Sequence, residues 1–381
     1  MGLIYWRLSG FYLFYFASLG ALVPYWGLYL KSLDFSVTEI GQLIAILMAT
    51  KIVAPNVWGW IADLTGHRMT IVRSASLLAA LTFTGVFFGN GFWWLALVMI
   101  AFSFFWNAAL PQFEATTMNH LGGETHRYSG IRLWGSVGFI ITVAALGPML
   151  DIYGTHRLPQ VLAAVFILIW LSSLVVPESA AGHLPLDQAR LRDVLRRPVV
   201  LALLAVCFLV QASHGPYYAF FSIYLESYGY STALIGQLWA LGVVAEIGVF
   251  LIMPRLLPRF GARRLLLAAV SLTTVRWLLI AGFADRLPVM LLAQTLHAAS
   301  FGLYHAVAIY MVHRLFTGAH QGRGQALYSS ISFGAGGAVG SLISGYLWTG
   351  MGAQSMYLLA AGVSLASVFV VLFGMRPGEQ L

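Results

Sequence analysis

Cysteine is nearly absent. Cys207 is the only one, so no disulfide can close within the chain and a cysteine-based metal site is excluded. Charge is scarce too: Asp, Glu, Lys and Arg make up 9% of the residues, against about a quarter in a typical soluble domain. The sequence also lacks a nucleophile elbow, a dinucleotide-binding glycine loop and a polar stretch long enough for a soluble catalytic domain. An enzyme is therefore not expected, and no cofactor is. His297 and His305 stand two helical turns apart, roughly 12 Å, too far for one ion to bridge, so no metal site is expected either. The net charge of +8 comes from basic residues scattered through short loops, which argues against nucleic acid as a partner.

What the chain has instead is apolar surface. Hydrophobic residues make up 60% of it, in long runs separated by short polar punctuation. A helix needs about 20 such residues to cross ~30 Å of hydrocarbon, and lipid requires backbone groups to be satisfied internally. A transmembrane barrel would show segments of about ten residues alternating apolar and polar, and these runs do not alternate. The first run, from about Phe11 to Leu30, is too long for a signal-peptide core and lacks a small-residue cleavage site. It is expected to be the first span.

The pattern predicts spans at 6–30, 37–62, 69–88, 92–118, 127–150, 158–176, 199–226, 231–257, 263–283, 287–313, 322–348 and 353–374. Alternate loops then carry very different charge. Arg7, Arg68, Arg73, Arg127, Arg190, Arg192, Arg196, Arg197, Arg255, Arg259, Arg263, Arg264, Arg314, Arg323 and Arg376 fall on one side, and only Lys31, Arg157 and Arg286 on the other. The positive-inside rule places both termini in the cytoplasm. The one long polar stretch, 178–197, is expected to be a cytoplasmic linker between an N-terminal six-helix half, 1–177, and a C-terminal one, 198–381.

The halves repeat. One fixed offset pairs Tyr29 with Tyr224, Ser36 with Ser231, the run Ile40-Gly41-Gln42-Leu43 with Ile235-Gly236-Gln237-Leu238, Gly66 with Gly261 and Arg68 with Arg263. Recurrence without a gap makes the second span and its following loop reappear as the eighth. Parallel six-span repeats resemble the construction of the major facilitator superfamily, which implies an all-α membrane protein of twelve transmembrane helices in two pseudosymmetric six-helix bundles, with a substrate site near the midplane. The loop Gly59-Trp-Ile-Ala-Asp63-Leu-Thr-Gly66-His-Arg68 resembles the superfamily's signature between its second and third helices, so Gly59, Asp63, Gly66 and Arg68 are candidate gating-loop residues. The superfamily usually has a basic residue directly after the Asp. Here Leu64 follows it, and in the second copy Pro258 stands where the Asp would be.

Ionisable residues inside the predicted spans are costly toward lipid and mark candidate function. They are Lys51, Glu114, Arg132, His214, Glu246, Arg276, His297 and His305. Lys51 and Glu246 occupy equivalent positions in the repeat. On the eighth span Trp239, Gly242, Glu246 and Phe250 share a helical face; on the tenth Gln294, His297, Phe301, Tyr304 and His305 do; on the seventh Gln211, His214, Tyr218 and Phe221. Each histidine is either a satisfied core residue or a site residue, and Glu114 with Arg132 either locks two helices or binds substrate. The run Gly334 to Gly340 reads as close helix packing.

Tyr128-Ser-Gly-Ile-Arg132-Leu-Trp-Gly135, with Glu114 upstream, resembles the sugar-binding helices of lactose permeases, and the succession Glu246, Arg276, His297 resembles their proton-coupling cluster; the further tenth-helix glutamate of that cluster is Ser300 here. A closer likeness, over nearly the whole chain, is to the 3-phenylpropionic acid permease branch. It rests on Gln211 to Tyr218, Trp239-Ala-Leu-Gly-Val-Val-Ala-Glu246, Val275-Arg276-Trp277 and Gln294 to His305. That resemblance implies a multi-pass protein of the bacterial inner membrane that couples protons to symport of a small solute such as an aromatic carboxylate. Lys51, Glu114, Arg132, His214, Tyr218, Trp239, Arg276, Phe301 and His305 are the expected substrate contacts, and Glu246, then His297, the expected proton carriers. The expected partners are lipid, substrate and protons, with the chain a monomer. Related branches imply a sugar or nucleoside symporter as the alternative, and a non-transporting sensor of the same fold is the third reading.

Overall fold

The computed structural model describes residues 2–124, 127–178, 191–317 and 321–375. Among them twelve helices are long and apolar enough to cross a membrane: α1 Gly2–Ser32, α2 Val37–Thr65, α3 Arg68–Phe87, α4 Phe92–Leu121, α5 Tyr128–Tyr153, α6 Thr155–Leu174, α7 Pro198–Ser227, α8 Thr232–Phe260, α9 Ala262–Phe283, α10 Leu287–Leu315, α11 Gly322–Met351 and α12 Ala353–Gly374. They follow the predicted spans to within a few residues. Most of the expected linker, with Arg190, and Arg376 lie outside the described residues. Large apolar side chains such as Trp93, Leu251 and Phe373 are 83%, 74% and 81% exposed, the surface that lipid covers.

Local chemistry repeats with the sequence. Ser36 caps α2: its hydroxyl accepts from the Glu39 amide, and the Glu39 carboxylate accepts from the Ser36 amide at 2.9 Å. Its repeat partner Ser231 accepts from the Leu234 amide at the start of α8, at 3.2 Å. Such caps contribute about 1 kcal/mol each. At the other end of both helices the chain turns through a left-handed residue, Gly66 at φ +70° and Gly261 at φ +76°. A residue with a Cβ is disfavoured there, which is why the glycine recurs.

The chain packs into two compact units. The first is Met1–His183 with Tyr230–Ala240, and the second is Leu184–Gly229 with Leu241–Leu381. The sequence pattern assigned 230–240 to the second half, whereas its packing is with α1 and α5. Asp151, at the end of α5, accepts from the Thr232 and Ala233 amides at 2.8 and 2.9 Å. A carboxylate on the unsatisfied amides of a helix N-terminus is favourable, and it holds the start of α8. Tyr25 donates to the Val143 carbonyl at 2.6 Å beside it.

Within the second unit, α7 is not one continuous helix. It runs Pro198–Ser213, breaks at His214 and resumes over Gly215–Ser227. Pro216 supplies no amide to the preceding turn. Gly215 packs its backbone on that of Gly340 and Ser341 in α11, and Gly336 lies against the Phe208 carbonyl. The glycine run of α11 thus lets two backbones meet, as its composition predicts. Helices α10 and α11 each contain a π-helical stretch, Ala298–Leu303 and Ser330–Gly336.

Candidate functional site

The charged residues gather in two clusters, one in each unit. In the first, Arg132 Nε lies 4.0 Å from Glu114 Oε1, with both side chains about a third exposed. Tyr128 donates to the same carboxylate oxygen at 3.3 Å. The guanidinium sits 3.7 Å from the centroid of Phe16 and 5.7 Å from that of Tyr12, a cation–π arrangement. Elsewhere in this unit Lys51 is partly buried and makes no hydrogen bond or ion pair among the described residues. The neighbouring Thr50 hydroxyl pairs with Ser103 at 2.8 Å and accepts from Asn107 at 2.9 Å. Trp239 is buried, at 4% exposure, in the part of α8 that packs with this unit.

The second cluster is drier. Arg276 is fully buried and donates from Nε to the Ala293 carbonyl at 2.9 Å, from one terminal nitrogen to Ser300 at 2.9 Å and from the other to Gln294 Oε1 at 3.3 Å. Its guanidinium lies over Tyr217 at 4.2 Å and Trp277 at 4.7 Å. Tyr217 donates to Gln294 Oε1 at 3.0 Å. Every acceptor is neutral: no carboxylate among the described residues lies within ion-pair distance of Arg276. Glu246 instead meets His297, Oε2 to Nε2 at 3.7 Å. Gly242 and Gly302 admit these groups, because a Cβ on Gly242 would stand 3.2 Å from the His297 ring and one on Gly302 2.9 Å from Glu246 Cγ.

Along α10 the rings of His297, Phe301 and His305 stack in series, at 5.5 and 5.6 Å between centroids. His305 Nδ1 lies 2.7 Å from the Tyr328 hydroxyl. Tyr304, expected on the same face, turns instead toward the Cys207 carbonyl at 3.4 Å and Ser332 at 3.3 Å. The intervening π-helical stretch changes the angle per residue, so an α-helical period does not carry through it. His214 lies edge-on to Trp277 at 4.8 Å and 5.8 Å from Tyr218. Phe250 keeps 39% exposure, and the ring that Glu246 meets is that of His297 on α10.

The loop expected to gate lies in the first unit. Arg68 donates to Asp63 at 2.8 Å and to Gln112 of α4 at 2.8 Å, with Gly59 beside Gln112 and Gly66 supplying the turn. Two participants were not foreseen. Gln112 carries no motif signal, and Glu178, which accepts from the Met69 amide at 3.1 Å, is far away in sequence. In the second unit Arg263, the repeat partner of Arg68, donates to the Met375 and Leu372 carbonyls at 2.6 and 3.1 Å. With Pro258 in place of the acid, it caps the end of α12.

Twelve apolar helices, a six-span repeat and buried charges of both signs define a membrane transporter fold. The chain belongs to the MFS_1 like family, which it matches over residues 5–359, a family of transporters and not of enzymes. It is 29% identical, over 96% of both chains, to a probable 3-phenylpropionic acid transporter of Escherichia coli (strain K12). It is 27% identical to a maltose permease of Geobacillus stearothermophilus, over 95% of this chain and 92% of that one. Among solved structures it matches a mutant of the nucleoside transporter NupG with a TM-score of 0.85 at 17% identity, over 98% of this chain and 100% of that one. That last likeness establishes the fold alone.

Proposed function

We propose that this transporter is a proton-coupled symporter of an aromatic carboxylate related to 3-phenylpropionate. The observation that carries the reading is the separation of charge in the second cluster. Arg276 is a buried guanidinium held only by neutral acceptors, while the nearby acid, Glu246, has its own histidine partner. A buried cation gains most from an anion that brings a matching charge, and a carboxylate on a guanidinium forms strong charge-assisted hydrogen bonds. Tyr217, Trp277 and Phe301 provide aromatic faces for an aryl group.

In this mechanism the Glu246–His297 pair takes up the proton, and the carboxylate binds while Glu246 is protonated and uncharged, which removes a like charge from the anion's surroundings. Alternate exposure of the loaded cluster to the two sides of the membrane then moves both together. The distribution of arginines supports both termini, and the 178–197 linker between the halves, lying in the cytoplasm of a bacterial cell. We take the transporting unit to be a monomer. The aromatic-acid relative supports this substrate class over sugars, and the maltose permease relative keeps a sugar as the control.

Counterflow of labelled 3-phenylpropionate in proteoliposomes tests the substrate class. Competition by other aryl carboxylates, with maltose and uridine inert, is the expected result. Displacement by a sugar or nucleoside but not by the acids would reassign the substrate.

A further inference from the structure

Two residues of α7 make no hydrogen bond to the clusters above among the described residues, yet are completely buried. Gln211 is 0% exposed, and neither its amide nitrogen nor its amide oxygen has a hydrogen-bond partner among the described residues. One turn on, His214 is also 0% exposed. Its Nδ1 lies 2.7 Å from the Val210 carbonyl oxygen. A carbonyl only accepts, so Nδ1 carries the hydrogen, and in the uncharged ring Nε2 presents a lone pair. That Nε2 has no partner among the described residues either. Leaving a buried polar atom unmet is costly, and α7 carries three, on Gln211 and His214 at its break.

The break keeps them there. Gly215 and Gly336 press α7 against the backbone of α11, and a Cβ on Gly336 would stand 3.1 Å from Gln211 Cβ. The His214 ring rests on Trp277, the indole that also meets the Arg276 guanidinium. The unmet atoms comprise a lone pair that needs a donor and an amide that offers both a donor and an acceptor. A carboxylate cannot supply the donor and an unsubstituted phenyl ring supplies neither. A hydroxyl group both donates and accepts.

We infer that Gln211 and His214 form a hydroxyl-recognising subsite, and that the preferred substrate is an aromatic carboxylate bearing a ring hydroxyl. The acid part of this inference rests on the proposed function; the hydroxyl part rests on α7 alone.

The test is ligand binding to the purified full chain, with 3-phenylpropionate, its 3- and 4-hydroxyphenyl counterparts, and the neutral phenol 2-(4-hydroxyphenyl)ethanol. At least one hydroxylated acid binds about tenfold more tightly than the plain acid, the effect of a recovered hydrogen bond. Gln211→Met brings that ratio near one. Thermal unfolding provides a second readout: replacing an unmet buried amide by an apolar group of similar volume leaves the ligand-free Gln211→Met protein at least as stable as the wild type. A phenol that binds in a Gln211-dependent way while no acid binds would uphold the subsite and overturn the carboxylate reading. Equal affinity for plain and hydroxylated acids, unmoved by Gln211→Met, would overturn the subsite and leave that reading intact. A Gln211→Met protein that unfolds well below the wild type would show the amide to be structural and overturn the subsite, and no binding of any compound overturns both.

Discussion

The two charged clusters solve the problem of charge inside a membrane protein in opposite ways. In the first unit the acid and the base meet each other, Glu114 with Arg132 at 4.0 Å and partly open, with a tyrosine and two aromatic rings around them. In the second they are kept apart: Arg276 is satisfied by a carbonyl, a serine and a glutamine, and Glu246 meets a histidine. A pair that neutralises itself has little charge to offer a ligand. A cation and an acid with separate neutral partners can each respond to something that arrives, one to an anion and the other to a proton. Under the proposed function, the coupled chemistry belongs to the second unit and the first has a supporting role.

Substitutions can break this contrast, and the largest effect is expected at Arg276. Arg276→Gln removes the anion's partner and lowers uptake on the order of a hundredfold, whereas Arg276→Lys, which keeps charge but loses the planar fork, retains part of it; initial rates in proteoliposomes measure both. Glu246→Gln comes next. It abolishes accumulation against a gradient but spares exchange of labelled for unlabelled substrate, and unchanged uphill accumulation in that variant would remove Glu246 from the coupling role. Glu114→Gln should shift half-saturation only a few-fold, since a partly exposed pair contributes at most about 1 kcal/mol. The smallest effect belongs to Asp63→Asn. Asp63 is 71% exposed, so screening leaves its bond to Arg68 worth a few tenths of a kcal/mol, and Gln112 still holds Arg68. Thermal unfolding of the variant should stay close to that of the wild type.

The helices, their number and the repeat were legible in the sequence because each follows from local pattern: apolar run length throughout and, in α2 and α8, a serine at the start and a glycine at the closing turn. Ser36 with Ser231 and Gly66 with Gly261 do the same work in both copies, which is why one offset found them. Arg68 and Arg263 show where that logic stops. The residue is kept, but its partner depends on whether an acid or a proline stands nearby in space, and one arginine binds Asp63 while the other binds carbonyls of α12. Which intramembrane residues were charged was plain from the sequence. Their pairings were not, because Arg276 reaches its acceptors through packing between α9 and α10. The break at His214 had a visible sign in Gly215-Pro216, but the π-helical stretches of α10 and α11 had none that periodicity reads, and they decide which rings stack.

The most direct test of the central claim is accumulation of labelled 3-phenylpropionate in proteoliposomes under an imposed inward proton gradient, with and without a protonophore, in the wild type and in Glu246→Gln. The account predicts accumulation that collapses with the protonophore and is missing in the variant. Accumulation that ignores the protonophore, or persists in Glu246→Gln, would contradict it.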